Sequence, residues 1–247
     1  MYIPTSVFVE KPLPNFLQSR RLYGHYRLAH NKGCARRRAV SPIVSLALPP
    51  CVALFGPVVA ASVCMILPIY SYGHTVLRKK ASPIGPDYPN LPGLIADMFE
   101  TMYNASGVGL AAPQVGLGIR LFVVDAEPMD EEKLVGFKKV FINPEMLEET
   151  GDPWAYSEGC LSLPNLHEDV LRKPTIRIRY QDEHFATHEE TFEGLAARVI
   201  QHEYDHIEGV LFTDHLSGLR KRLLKGKLNA IAKGDCDARY RMKFALR

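Results

Sequence analysis

Residues 194–209 read Gly-Leu-Ala-Ala-Arg-Val-Ile-Gln-His-Glu-Tyr-Asp-His-Ile-Glu-Gly. His202 and His206 in this stretch are four residues apart, so an α-helix places both side chains on one face. Leu195 and Val199 fall on the same face, which predicts that the histidines point into the core. A buried histidine needs a partner, and one metal ion would satisfy both rings. A separate backbone carbonyl for each ring is the alternative.

Two other residues complete a candidate catalytic metal site. Glu203 lies between the histidines and is placed to handle the proton of a metal-bound water. Cys160, within the segment Glu-Gly-Cys-Leu-Ser at 158–162, is the candidate third ligand. Three protein ligands with an open fourth position are typical of catalytic rather than structural metal sites. The pattern His-x-x-x-His also occurs on solvated surface helices, so it does not decide the matter alone.

A third segment, Gly-Val-Gly-Leu-Ala-Ala-Pro-Gln at 107–114, is a loop of small residues that ends in one long amide. Its glycines permit close approaches of the backbone that other residues forbid. A phosphate-binding loop is a weak interpretation, because no Lys-Ser/Thr pair follows and no strand precedes it. We expect the loop to form a wall of an active site, with Gln114 donating a hydrogen bond to the substrate.

Taken in chain order, from the glycine loop through the cysteine segment to residues 201–206, the three segments resemble the three motifs of the peptide deformylase family, and the similarity runs from about Met65 to the C-terminus. Peptide deformylases remove the formyl group from the N-terminal formyl-methionine of newly made bacterial proteins. The resemblance implies that Cys160, His202 and His206 hold the metal. It also implies that Glu203 takes a proton from water and returns it to the departing amine.

The resemblance further implies how the charge on the formyl oxygen is stabilised. The side-chain amide of Gln114 and the backbone N–H of Leu161 would donate to that oxygen, together with the metal. The family implies Fe2+ as the metal, although the ligand set also suits Zn2+ or another divalent ion. The implied partners are N-formyl-methionyl nascent peptides, with the enzyme close to the ribosome, in the cytoplasm and as a monomer.

Several residues around the motifs are candidates for supporting roles. By resemblance, Glu158 pairs with Arg172 and holds the Cys160 loop, although a surface pair of little energetic value is the alternative. Asp205 is expected to be exposed to solvent. An apolar pocket for the methionine side chain would use residues that flank the motifs, each of which could equally be ordinary core: Val108, Gly109, Tyr156, Leu195 and Val199.

The N-terminal region differs in composition from the rest of the chain. Residues 1–38 hold eight Lys and Arg against one acidic residue, and residues 39–77 hold no charged residue. The whole chain has a net charge of +3, so the remainder is acidic and shows no specificity for nucleic acid. We therefore expect a catalytic domain at 65–247 and an N-terminal extension at 1–64.

Three interpretations of residues 1–64 stay open. Translation that starts at Met65 is preferred, with a membrane anchor or signal and an organellar transit peptide as alternatives. A membrane contact follows only if this extension is genuine, and its prolines weaken a spanning helix. The chain has five cysteines without compact spacing, which does not resemble a disulfide framework. A thiolate ligand also favours a reducing compartment.

The coarse pattern of elements predicts an α+β fold, because helices and strands are segregated rather than alternating. The resemblance adds antiparallel sheets packed around the metal-binding helix, followed by a C-terminal helix. The expected helices are Leu94–Tyr103, Gly194–Glu208 and Asp214–Ala232, and the expected strands are Ile119–Val124, Lys139–Ile142, Thr175–Tyr180 and Thr187–Phe192.

Two other functions remain compatible with parts of the pattern. A metallopeptidase shares His-Glu-x-x-His, but it needs a third ligand downstream. Glu208 and His215 are within reach, but neither has the expected spacing, and the other two motifs would stay unexplained. A non-enzymatic module stabilised by the metal could instead bind ribosomes or membranes through the basic tail. Such a module predicts a fourth protein ligand and no turnover.

Overall fold

A computed structural model describes residues 64–246 of the chain. The expectations for the N-terminal extension lie outside these residues, apart from Cys64. The described elements are helices α1 (Leu91–Asn104), α2 (Gly194–Glu208) and α3 (Gly218–Lys233), and strands β1 (Ile69–Tyr70), β2 (Gly109–Ala111), β3 (Leu121–Asp125), β4 (Lys138–Thr150), β5 (Trp154–Cys160), β6 (Leu163–Arg172), β7 (Thr175–Gln181), β8 (Thr187–Glu193) and β9 (Met242–Lys243). Over the same residues, the helices are too short or too polar to span a lipid bilayer.

An antiparallel sheet with the strand order β2-β3-β4-β7-β8 forms the centre of the fold. Residues 121–124 of β3 are all buried, and because successive side chains of a strand point to opposite faces, both faces of β3 are covered. Phe122 and Val124 lie in a cluster with α2, whereas Leu121 and Val123 lie in a cluster with α1. The sheet therefore separates two apolar cores, and the α+β fold with antiparallel sheets around α2 is confirmed.

The antiparallel hairpin of β5 and β6 packs on the other side of α2. Its apolar side chains, including Leu163 and Val170, share a third cluster with Phe212 and with residues of α3. Cys160 at the end of β5 belongs to this cluster. Helix α2 therefore lies between the sheet and the hairpin, which is how one helix can meet both the glycine loop and the cysteine.

Helix α2 has the bounds that its sequence predicts. Its C-terminal residue is followed by Gly209 at φ +77°, a left-handed conformation that glycine adopts without strain. The N–H of Gly209 donates to the carbonyl of His206. A Cβ at position 209 would lie 2.9 Å from the backbone of Arg78, so a side chain is excluded there for a second reason.

The C-terminal helix begins later than predicted. Residues Phe212–His215 form a separate 3-10 turn, and α3 starts only at Gly218. Ser217 explains the boundary, because its side chain accepts a hydrogen bond from the N–H of Arg220 and caps the new helix.

Strand β4 is longer than the predicted Lys139–Ile142. It continues through Asn143 and Pro144 with a register shift between Ile142 and Glu145, where Asn143 has φ +50°. A bulge lets the strand pass a residue pair that would otherwise end it.

Candidate active site

Three separate parts of the fold place the predicted motif residues together. Helix α2 carries His202, Glu203 and His206, all of them buried. Cys160 is the last residue of β5, and Gln114 lies in the 3-10 turn Ala112–Val115 that follows β2.

Cys160, His202 and His206 form a cluster that fits one metal ion. One ligand atom from each residue lies within 4.8 Å of the other two, and the Sγ of Cys160 is 3.3 Å from Nε2 of His206. All three side chains are buried. A thiolate and two imidazoles are the donors that a borderline-soft divalent ion prefers, so the residues present fit the group that the sequence predicts.

The hydrogen bonds of the histidines are consistent with this fit. The Nδ1 of His202 donates to Glu158 across 3.0 Å, which leaves Nε2 for a ligand bond. Burial would lower the pKa of His202, but its contacts with Cys160 and Glu158 raise it well above the ordinary value. Burial and the charge of His202 together lower the pKa of His206. The cluster thus attracts one positive charge, which a bound cation would supply in place of a proton.

Glu203 is a buried carboxyl group beside the charged network of Glu158 and Arg172. Its exposed fraction is 1%, and Oε2 has no hydrogen-bond partner among residues 64–246. Burial raises the pKa of Glu203 to about 7, so the carboxyl can change its protonation state near neutral pH. A Cβ at Gly109 would lie 2.4 Å from Oε1 of Glu203. The glycine therefore lets β2 approach the carboxylate.

The side chain of Gln114 is held so that its amide nitrogen faces the cysteine. Its Oε1 accepts a hydrogen bond from the N–H of Ala111 across 2.8 Å. This contact leaves Nε2 as the donor, 3.5 Å from Sγ of Cys160 and 3.5 Å from Oγ of Ser162. Ser162 is buried and was not singled out in the sequence, although it closes the second motif.

Glu158 and Arg172 form a buried pair rather than a surface one. Two nitrogens of Arg172 donate to the carboxylate of Glu158, at 2.7 and 3.0 Å. Burial alone would raise the pKa of Glu158, but His202 and Arg172 hold it well below the ordinary value. The carboxylate is therefore charged while it orients His202, and removing either partner would leave a buried charge without compensation.

The expectation that Asp205 is exposed was wrong. Its side chain is 17% exposed and accepts hydrogen bonds from Arg172 and His215, each across 2.8 Å. Burial would raise the pKa of Asp205, but these two partners lower it. Because Asp205 shares Arg172 with Glu158, it extends the buried charge network toward the protein surface.

Arg198 is the main residue that the sequence analysis missed. It is 1% exposed, and it donates to Glu158 at 3.0 Å and to the carbonyl oxygens of Val170 and Trp154. Its guanidinium also lies 4.4 Å from the ring centroid of Trp154. One signal could have found it, because Arg198 is four residues before His202 and so lies on the same helix face.

The predicted pocket residues lie in different environments. Val108 and Val199 are buried in the cluster between the sheet and α2, which explains them without a substrate. Leu195 is only partly buried, and Tyr156 packs against Trp154. Their contribution to substrate binding stays a prediction.

The ligands that a metallopeptidase would need are engaged elsewhere. Glu208 forms ion pairs with Arg120 and Lys80, at 2.6 and 2.8 Å. The Nε2 of His215 is taken by Asp205. Among residues 64–246, the one metal-binding group that includes these histidines holds Cys160 and neither Glu208 nor His215. The geometry therefore does not favour a peptidase site.

Comparison with known proteins agrees with the geometry. A family model described as polypeptide deformylase matches residues 66–222. A peptide deformylase of Christiangramia forsetii is 58% identical over 189 residues, which cover 73% of this chain and 96% of the relative.

Solved structures give the same result. The peptide deformylase of Thermotoga maritima is 42% identical, with a TM-score of 0.57 over 62% of this chain and 99% of the other. The one from Legionella pneumophila is 38% identical, with a TM-score of 0.61 over 69% and 98%. Since both the family model and relatives of this identity cover most of the described chain, it belongs to the polypeptide deformylase family of metal-dependent amide hydrolases, which remove the formyl group from the N-terminal methionine of newly made proteins.

Proposed function

We propose that this chain deformylates nascent peptides with Glu203 as the group that moves the proton. The observation that carries the proposal is the unpaired Oε2 of Glu203, buried on the same helix as two residues of the metal-binding cluster. The carboxylate accepts a proton from the attacking water at this oxygen. The water oxygen bonds to the formyl carbon, and Glu203 then returns the proton to the nitrogen as the C–N bond breaks, which releases formate and the free amine. A carboxyl with a pKa near neutrality suits both steps.

Cys160, His202 and His206 would hold the ion. A bound divalent cation supplies Lewis acidity and makes water a stronger nucleophile at neutral pH. Glu158 keeps His202 in the tautomer that presents Nε2, and Arg172 and Arg198 keep Glu158 charged and in place.

Gln114 and Leu161 would stabilise the negative charge that develops on the formyl oxygen. The Nε2 of Gln114 is directed to the cysteine by the bond that Ala111 makes to Oε1. The N–H of Leu161 belongs to the peptide that follows Cys160. Donors fixed before the reaction cost no reorganisation when the charge appears.

The finer assignments rest on the family resemblance and on ligand chemistry. The metal would be Fe2+, with Zn2+ or another divalent ion as a substitute. The substrate would be an N-formyl-methionyl peptide, with methionine bound beside Val108, Gly109, Leu195 and Val199. The enzyme would act as a cytoplasmic monomer close to the ribosome, and residues 65–247 would form its catalytic domain.

The test is formate release from a short N-formyl-methionyl peptide by anaerobically prepared Fe2+ protein, made at full length and from Met65. We expect equal activity in both, since the similarity to the family begins near residue 65. The Glu203→Gln variant should keep its metal and lose nearly all activity. Turnover at the wild-type rate in this variant would contradict the role of Glu203. An acetylated peptide that is cleaved internally would favour a peptidase instead.

A further inference from the structure

The chain continues past α3 into a segment that returns to the active site. Residues 240–246, called the C-terminal strap here, include β9, which pairs in parallel with β1. The strap lies outside residues 66–222, the range that the family model matches.

Backbone hydrogen bonds fix the strap along its length. The N–H groups of Ile69 and Ser71 donate to the carbonyl oxygens of Arg241 and Lys243, each across 2.9 Å. At its end, the N–H of Leu246 donates to the carbonyl of Ala232 in α3 across 3.0 Å. The strap is thus held by β1 on one side and by the C-terminal helix on the other.

The first residue of the strap contacts the motif that carries the cysteine. The hydroxyl of Tyr240 donates to the carbonyl oxygen of Leu161 across 2.8 Å. The next carbonyl, that of Ser162, accepts from the N–H of Tyr72 across 2.9 Å, just after β1. The carbonyl groups of two successive residues after Cys160 are therefore held, the first by the strap and the second by the residue that follows β1 in the chain.

The side chain of Leu161 is confined as well. It is 8% exposed and lies in one cluster with Tyr240 and Met242. On its other side, a Cβ at Gly107 would lie 2.8 Å from Cδ1 of Leu161. A residue fixed at its side chain and at its carbonyl has little freedom left for its N–H.

We propose that Tyr240 is a positioning residue for deformylation, which holds the backbone of Leu161 so that its N–H points at the formyl oxygen. The inference rests on the proposed role of the Leu161 N–H. Cys160 fixes one side of that residue and Tyr240 fixes the other. A donor whose direction is set in advance stabilises the transition state more than one that must rotate into place.

The test compares Tyr240→Phe with Tyr70→Phe. Both variants remove one hydroxyl and keep the ring. The Tyr70 hydroxyl accepts a hydrogen bond from Nζ of Lys243 in the same strap across 3.1 Å, so its partner belongs to the strap rather than to the cysteine motif. We expect Tyr240→Phe to lower kcat about fivefold with KM within about twofold, the effect of losing one neutral hydrogen bond. Tyr70→Phe should match the wild type in both constants.

A second measurement does not depend on turnover. In metal-free, 15N-labelled protein, Tyr240→Phe should shift the amide resonance of Leu161 and speed its hydrogen exchange, whereas Tyr70→Phe should do neither. Wild-type kcat together with an unchanged Leu161 amide in Tyr240→Phe would overturn the proposal. An equal loss in both variants, or a loss carried by KM alone, would overturn it too. If the wild type releases no formate, the proposed function fails, while the amide measurement still shows whether Tyr240 holds Leu161.

Discussion

Nη1 of Arg198 donates to Oε1 of Glu158 across 3.0 Å, between two side chains that are both fully buried. The other oxygen of the same carboxylate accepts from Nδ1 of His202. One carboxylate therefore joins an arginine of α2 to His202 of the same helix, a candidate metal ligand. Because Arg198 also donates to the carbonyl oxygens of Trp154 and Val170, it holds the hairpin of β5 and β6 against α2.

Replacing Arg198 with alanine should destabilise the protein strongly. Glu158 would lose a charged partner in the interior, and two carbonyl groups of the hairpin would lose their donor. We expect the free energy of unfolding to fall by about 3 kcal/mol, the usual effect of breaking a buried ion pair. Urea denaturation monitored by circular dichroism measures it.

The matched control for this change is Arg179→Ala. Arg179 pairs with Glu189 on the exposed surface of β7 and β8, where its side chain is 48% exposed. The loss there should stay below about 1 kcal/mol. Equal losses of unfolding free energy in the two variants would show that the buried network stabilises the protein no more than an exposed ion pair does.

Adding one methyl group at Gly109 should impair catalysis more than metal binding. The new Cβ would meet Oε1 of Glu203 at 2.4 Å, so the carboxylate must move. A displacement of about 1 Å at a reacting group can cost about 100-fold, and we expect a loss of that order in kcat for Gly109→Ala.

Gly118→Ala is the control for that substitution, because among residues 64–246, its two chain neighbours aside, no atom lies within 4 Å of the position its Cβ would take. Its kcat should equal that of the wild type. Steady-state kinetics with metal content measured on the same samples would decide, and a Gly109→Ala enzyme with wild-type kcat would refute the close packing of β2 on Glu203.

Removing the amide of Gln114 should raise the barrier of the chemical step. In Gln114→Met the side chain keeps its length and loses the donor Nε2, so the formyl oxygen loses one hydrogen bond. By analogy with other oxyanion sites, kcat should fall about 100-fold with a smaller change in KM. A change confined to KM would indicate that Gln114 binds the ground state and the transition state equally.

Removing the metal should lower thermal stability as well as activity. An ion that binds only the folded protein stabilises it by mass action, so a chelator should lower Tm, and added Fe2+ should restore it. In Cys160→Ala one ligand is missing, and we expect the chelator to shift Tm far less. A wild-type Tm that changes neither with the chelator nor with added Fe2+ would contradict a metal bound by this cluster.

The ion pair between Lys139 of β4 and Glu190 of β8 should contribute to stability in a pH-dependent way. Burial alone would raise the pKa of Glu190, but hydrogen bonds from Tyr180 and Lys139 lower it below the ordinary 4.5. The folded state therefore favours the carboxylate. Its stabilising contribution is present above pH 4.5 and is lost as the pH falls through the lower pKa of the folded protein. The free energies of unfolding of the wild type and of Glu190→Gln, measured by urea denaturation, should converge in acid. A difference between them that stays constant with pH would argue against this linkage.

The helix of the active site was predictable because its signals agree. Apolar residues at helical spacing, two histidines four apart and a closing Gly209 all indicate the same bounds, and α2 has them. The five-stranded sheet was partly predictable for the same reason, since strands such as β7 alternate cleanly.

The hairpin that carries Cys160 was not predicted, because its pattern does not follow hydrophobicity. Glu158 and Arg172 are charged and yet face inward, so a search for alternating apolar residues passes over both strands. The burial of Arg198 and Asp205 depends on the same network. Such residues become interpretable only when their partners, remote in sequence, are in place.

The parallel pairing of β1 with β9 also has a consequence for the order of assembly. Synthesis runs from the N-terminus, so β1 is made first and β9 last among the described strands. Their hydrogen bonds can form only once residues 242–243 have emerged from the ribosome. Until Tyr240 has emerged as well, its contact with Leu161 cannot form. The two residues that this hydrogen bond joins are therefore made 79 positions apart, and the motif that carries Cys160 waits for a late segment of the chain before its backbone is fully anchored.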